Sequence, residues 1–125
     1  MEFPKSCKTI FFPGCTLSGT RPFRTLQTYN FIKASNPNIG IVLDCCTKTS
    51  HDLGRQEFFN SKFGEMKKHH SENGIKEVIV ACPNCYKIFM EYGENISVRI
   101  VYEVLIENSL PLIKSTDKTI MIHDP

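Results

Sequence analysis

Two short uninterrupted apolar runs, Ile39-Gly40-Ile41-Val42-Leu43 and Val78-Ile79-Val80-Ala81, narrow most sharply what this chain can fold into. A strand with one wet face alternates apolar and polar side chains, whereas an unbroken run reads as a strand covered on both faces, as in a central parallel sheet. Further β-rich runs at Lys8 to Phe12, Ser97 to Val101 and Thr119 to His123 bring the expected strands to five. Between them lie four stretches with helical spacing. The first covers about Pro22 to Ala34, with Thr20 as a cap and Phe23, Leu26 and Phe31 or Ile32 as its apolar stripe. The second, about Gly54 to Ser71, repeats Phe58, Phe59, Phe63 and Met66 and runs into Asn73-Gly74, a left-handed stop. The third runs from Asn84 or Cys85 to Tyr92, and the fourth from about Glu103 to Leu110, before Pro111. Strand and helix in regular succession form βαβ units, whose crossovers are right-handed. The expected fold is α/β, a Rossmann-like three-layer α/β/α sandwich with a parallel sheet of four or five strands, in a single domain over 1–125.

Composition agrees with one ordinary core: 125 residues, 41% apolar and 22% charged. Fifteen basic against thirteen acidic residues leave a net charge of +2, and neither sign forms a long block. No electrostatic reason exists to expect nucleic acid or a membrane surface as partner. No apolar stretch approaches a membrane span. Gly-x-Gly-x-x-Gly and Walker-type loops are absent, so the usual nucleotide readings lack their motif. The anomaly is six cysteines. The segment Met1 to Lys8 carries Glu2, Lys5 and Lys8, and no signal sequence is visible, so a reducing cytoplasm is the expected setting. Clustered cysteines there are metal ligands or redox groups more often than staples.

Their positions carry the functional reading. Cys15 follows the first strand in Phe12-Pro13-Gly14-Cys15, Cys45 and Cys46 end the second, and Cys82 and Cys85 end the third in Ala81-Cys82-Pro83-Asn84-Cys85. Parallel strands point the same way, so all three loops open on one edge, the edge where open α/β sheets bind ligands. A metal or redox site is expected there. Cys82 and Cys85 stand at a helix start, where unpaired N–H groups and the dipole are expected to favour thiolate.

Phe12-Pro13-Gly14-Cys15-Thr16-Leu17, then Cys45-Cys46, then Ala81-Cys82-Pro83-Asn84-Cys85-Tyr86 resembles the cysteine-rich CCG domain found in heterodisulfide reductases. Similar domains occur in the iron-sulfur subunits of glycolate, lactate and anaerobic glycerol-3-phosphate oxidation systems. The family pattern is one Cys, a long spacer, Cys-Cys-Gly, a similar spacer, then Cys-x-x-Cys, and the match spans essentially the whole chain. The resemblance implies an iron-sulfur cluster, 4Fe-4S of cubane or non-cubane type, with electron transfer as its role and Cys15, Cys45, Cys46, Cys82 and Cys85 as ligands. In some family members one repeat holds zinc instead. A cubane needs four thiolates and leaves one spare, and tetrahedral zinc uses four. Two departures stand out: the family Gly after the paired cysteines is Thr47, and His123-Asp124-Pro125 resembles the opening of the family's second repeat. The chain is therefore expected to be the first repeat of a longer protein, its partners a second CCG repeat or a redox partner subunit.

The remaining candidates have simpler readings. Cys7 lies up to about 26 Å of extended chain from Cys15 and reads as a packing residue or free thiol. His51 reads as a solvated loop residue near the paired cysteines, and His69 and His70 as favourable charges at a helix end. His123 would end the fifth strand on the functional edge. Asp44 would repel an anionic cluster and is expected to point away, while Phe58, Phe59 and Phe63 read as core. Two rivals to the iron-sulfur reading are a zinc-binding interaction module and a thioredoxin-like dithiol oxidoreductase using Cys82 and Cys85 alone.

Overall fold

The computed structural model describes residues 7–110, 117–119 and 121. Strand β1 (Thr9–Phe12) leads into α1 (Cys15–Thr20) and α2 (Pro22–Ser35), then β2 (Gly40–Ile41), α3 (Lys48–Asp52) and α4 (Gln56–Glu72). Strand β3 (Glu77–Val80), α5 (Pro83–Tyr92), β4 (Ser97–Ile100) and α6 (Val101–Glu107) complete it. The four strands form one all-parallel sheet in the order β2-β1-β3-β4. The register pairs Ile10 with Val78 and Phe12 with Val80 across the centre, and Val80 with Ile100 beyond it. The fold is the expected α/β sandwich. The fifth expected strand, Thr119 to His123, falls largely outside the described residues, and His123 with it.

Alternation along the strands divides the core into two sides. Ile10, Phe12, Val78 and Val80 face Phe59, Phe63 and Met66 of α4 and Ile88 and Phe89 of α5. Phe11 and Ile79 point the other way, toward Ile32 of α2 and Val101 and Val104 of α6. Covered on both faces, β1 and β3 explain why their sequences show no polar alternation. The order reverses direction between β1 and β3, which places the topological switch point, the natural crevice of a doubly wound sheet, beyond Phe12 and Val80.

Several expected elements differ in detail. Thr20 does not cap α2: the N-cap position is Arg21, with no side-chain cap, and the Thr20 hydroxyl donates to the Thr16 carbonyl within α1. Phe23 and Leu26 are exposed, because the buried face of α2 follows Thr25, Tyr29 and Ile32 instead. Thr25 sits in the core because its hydroxyl donates to the Arg21 carbonyl at 3.1 Å. Phe58 is partly exposed at 44%, one position off the α4 face that Phe59 and Phe63 bury. Strand β2 is an edge strand shorter than its apolar run, and Leu43 beyond it is exposed. Val101 belongs to α6, which starts two and stops three residues earlier than its sequence pattern suggests.

Candidate functional site

The three cysteine loops meet at the C-terminal edge of the sheet. Gly14 closes the loop after β1 with φ +83°, a conformation natural only to glycine. A Cβ at Gly14 would stand 3.1 Å from the Cys85 Sγ and 3.2 Å from the Cys82 Cβ, so the missing side chain is what lets the first loop lie against the third. Cys82 occupies the N-cap position of α5 in extended conformation, Pro83 sets the first helical residue, and Cys85 turns inward within the first turn. After β2 the chain turns through Asp44, Cys45 and Cys46 to Thr47, which takes the left-handed conformation, φ 55° and ψ 19°, and opens α3. Thr47 thus holds a conformation that glycine adopts freely, despite its own β-branched side chain. The Thr47 hydroxyl donates to the Cys46 carbonyl at 2.8 Å, and its backbone N–H donates to the Cys45 Sγ at 3.4 Å.

The five thiols form a continuous series of contacts. Cys15 and Cys45 interact at the exposed rim. Cys46 follows Cys45 and is buried, and the Cys85 thiol donates to the Cys46 Sγ at 3.3 Å. Cys82, half-buried, lies beside Cys85. Cys7 is remote from this series: it is buried, and its thiol donates to the Thr9 carbonyl at 3.2 Å, as a packing residue should.

Electrostatics within the series overturn one expectation. Within the hydrogen-bonded pair the lowered thiol is Cys46 and the raised one is Cys85, opposite to the expectation for a helix start. The hydrogen bond from Cys85 lowers the Cys46 thiol to about 7 against burial, helped by the Lys48 backbone N–H and more weakly by its ammonium, while the same bond and burial push Cys85 well up. The α5 N-terminus does not prevail because Cys85 is enclosed and donates its proton to a neighbouring sulfur. Burial likewise raises Cys45 and Cys7.

The histidines also depart from expectation. His51 is half-buried, not solvated: its Nε2 lies 2.8 Å from the Tyr92 hydroxyl, and its ring packs edge-on to Phe59, tying α3 to α4 and α5. His70 is fully buried beside Phe89, and desolvation lowers it to about 4, so it cannot serve as the helix-end cation its sequence position suggests. Asp44 is exposed. Its Oδ1 accepts the Cys45 backbone N–H at 2.7 Å, and Asp44 and Cys45 form a ridge between two hollows. One, about 400 Å³, is bounded by Phe58, Lys62, Met66 and His70, and the other, about 360 Å³, by Cys15 and Ser18. Sequence reasoning missed Gly14 and Lys48 as contributors. Gly14 stands directly before Cys15, and a glycine preceding a ligand-type residue at a strand end was the available signal.

Among the described residues, no group of three or more His, Cys, Asp or Glu side chains is arranged to hold a metal ion. The thiols touch pairwise and do not surround a common point. A tetrahedral zinc ion with Zn–S near 2.3 Å would need four sulfurs mutually about 3.8 Å apart. The donor chemistry, five thiols with one close to ionisation at neutral pH, fits a thiolate-bound cluster, and loading such a group requires the pairs to part. Among the described residues no helix is long and apolar enough to cross a membrane. Comparison with known proteins finds no matching family model, no matching curated protein and no matching solved structure.

Proposed function

We propose that this chain is an iron-sulfur-binding electron-transfer domain of an oxidoreductase, of the kind the CCG domains of heterodisulfide reductases represent. The observation that carries the reading is the contact series Cys15, Cys45, Cys46, Cys85 and Cys82, in which three loops distant in sequence deliver five thiols to the switch point of the sheet. When bound, the cluster supplies a one-electron carrier. The chain's own residues prepare for it. Cys46 has its thiol lowered by Cys85 and Lys48, Gly14 keeps the first and third loops close, and the Thr47 N–H supports the Cys45 sulfur. An isolated Cys82–Cys85 dithiol is less well supported, because Cys85 bonds to Cys46 as well as lying beside Cys82. A second CCG repeat or a redox subunit would then supply the electron donor or acceptor, and the cytoplasm the reducing setting.

Anaerobic addition of iron and sulfide to the reduced chain, followed by absorption and electron paramagnetic resonance spectroscopy, tests the proposal. Charge-transfer absorption with stoichiometric iron and sulfide is expected. Cys82→Ser and Cys85→Ser should each reduce it sharply and together, leaving three of the five thiols, abolish it, and Cys7→Ser should leave it intact. Stoichiometric zinc binding with no iron uptake would replace the reading with the zinc module, and equal loss in the Cys7 and Cys82 variants would undo the ligand assignment.

A further inference from the structure

Cys46 and Cys85 belong to separate loops, 39 positions apart in sequence, yet their sulfurs stand 3.3 Å from one another in the buried interior of the site. A disulfide requires about 2.05 Å between sulfurs, so roughly 1 Å of movement separates the pair from a covalent bond. The two side chains already point at each other, since one donates its proton to the other. Cys46 is itself 5% exposed and directly follows Cys45, an exposed residue that borders two hollows, so the pair is approached from that side.

We infer that Cys46 and Cys85 are the site of a reversible oxidative cross-link that fastens the loop after β2 to the first turn of α5. The oxidant class is a hydroperoxide. The Cys46 sulfur attacks a peroxide oxygen, an S–O bond forms as the O–O bond breaks, and the departing hydroxide takes up a proton and leaves as water. The Cys85 sulfur then attacks the Cys46 sulfenic acid, the S–S bond forms, the S–O bond breaks, and a second water leaves with the Cys85 proton. Two electrons pass from the thiol pair to peroxide. A dithiol reductant reverses the cross-link by exchange through a mixed disulfide. The cross-link stands independently of the iron-sulfur proposal. Its consequence for that proposal is that Cys15, Cys45 and Cys82 alone remain free at the edge, too few for a group needing four thiolates.

The test uses the full, metal-free chain, reduced and then treated with stoichiometric hydrogen peroxide. Free thiols are blocked with iodoacetamide before intact-mass measurement and unreduced peptide mapping. The expected result is loss of two hydrogens, one linked peptide pair joining positions 46 and 85, and alkylation of the other four cysteines. Dithiothreitol should restore all six thiols. The same linkage should persist in Cys15→Ser and Cys82→Ser and vanish in Cys46→Ser. Linkage of Cys15 to Cys45 or of Cys82 to Cys85 in the unaltered chain, or sulfinic acid without linkage, would overturn the inference. A second arm adds iron and sulfide anaerobically to the oxidised and reduced forms. Failure of the reduced form to load counts against the iron-sulfur reading alone, whereas a cross-linked form that loads fully would disprove the claim that the linkage withdraws ligands.

Discussion

His70 shows how burial reverses the meaning of a residue. In the sequence it joins Lys67, Lys68 and His69 as a basic helix end, a setting that favours a cation. In the fold its ring is fully enclosed, stacked 6.3 Å from Phe89, and neither ring nitrogen has a hydrogen-bond partner among the described residues. Desolvation and the neighbouring His69 lower it from 6.5 to about 4, against a small opposing pull from Asp44. The unfolded chain therefore binds a proton through the window from 6.5 down to about 4 that the folded chain refuses. The stability from neutral burial is complete above the unfolded value and drains away as pH falls toward the folded one. At about 1.4 kcal/mol per unit the full effect is about 3 kcal/mol. Urea unfolding at a series of pH values should show this slope, and His70→Phe, which keeps the contact with Phe89, should flatten it. Parallel pH profiles for the two proteins would show that other groups set the acid sensitivity.

Helices α4 and α5 were legible because each buries an apolar face and ends at a recognisable stop, Asn73-Gly74 for one and Gly93 for the other. Helices α1 and α3 were not legible. They span six and five residues and bury none, so no apolar period announces them. Polar bonds hold them instead: Ser18 to the Gly14 carbonyl at 2.9 Å in α1, and in α3 a Lys48–Asp52 ion pair together with the His51–Tyr92 contact. The convergence of the cysteine loops followed from strand direction, whereas the pairing of Cys46 with Cys85 depends on loop backbone angles that periodicity does not carry. Those angles are set at the junctions that open α1 and α3. Gly14→Ala adds a Cβ at φ +83° and 3.1 Å from the Cys85 sulfur, so strain and crowding together should cost about 2–4 kcal/mol. Thr47→Gly relieves a left-handed β-branched residue and, less the extra chain entropy of glycine, should gain up to about 1 kcal/mol. Chemical denaturation of both variants checks the pair, and a destabilised Thr47→Gly would mean that the hydroxyl bond to the Cys46 carbonyl outweighs the backbone strain.

For the whole molecule, stability is distributed unevenly around the site. Strands β1 and β3 are paired on both sides and buried on both faces, and α5 is packed through Phe89 against Phe12 at 5.2 Å and Phe63 at 5.3 Å. Cys82 and Cys85 thus rest on the most constrained part of the chain. Cys15 begins α1 and Cys46 precedes α3, the two helices without buried residues. Local opening is drawn from elements with few buried contacts, so the fixed wall is the β3–α5 loop, and the parts able to separate, as the proposed cluster would require, are the other two loops. Hydrogen exchange on the reduced, metal-free chain should find the amides of Ile10–Phe12 and Val78–Val80 slowest, those of α5 protected, and those of α1 and α3 exchanging on the fastest timescale of any helix in the described fold. A cluster bridging the parted loops would tie them to the β3–α5 wall and so suppress their local unfolding by mass action. Loading with iron and sulfide should therefore slow α1 and α3 by about tenfold or more while leaving the central strands nearly unchanged. Exchange in α5 as rapid as in α1 before loading, or slowing confined to α5 after it, would place the yielding part of the site in the third loop and reverse the assignment of wall and gate.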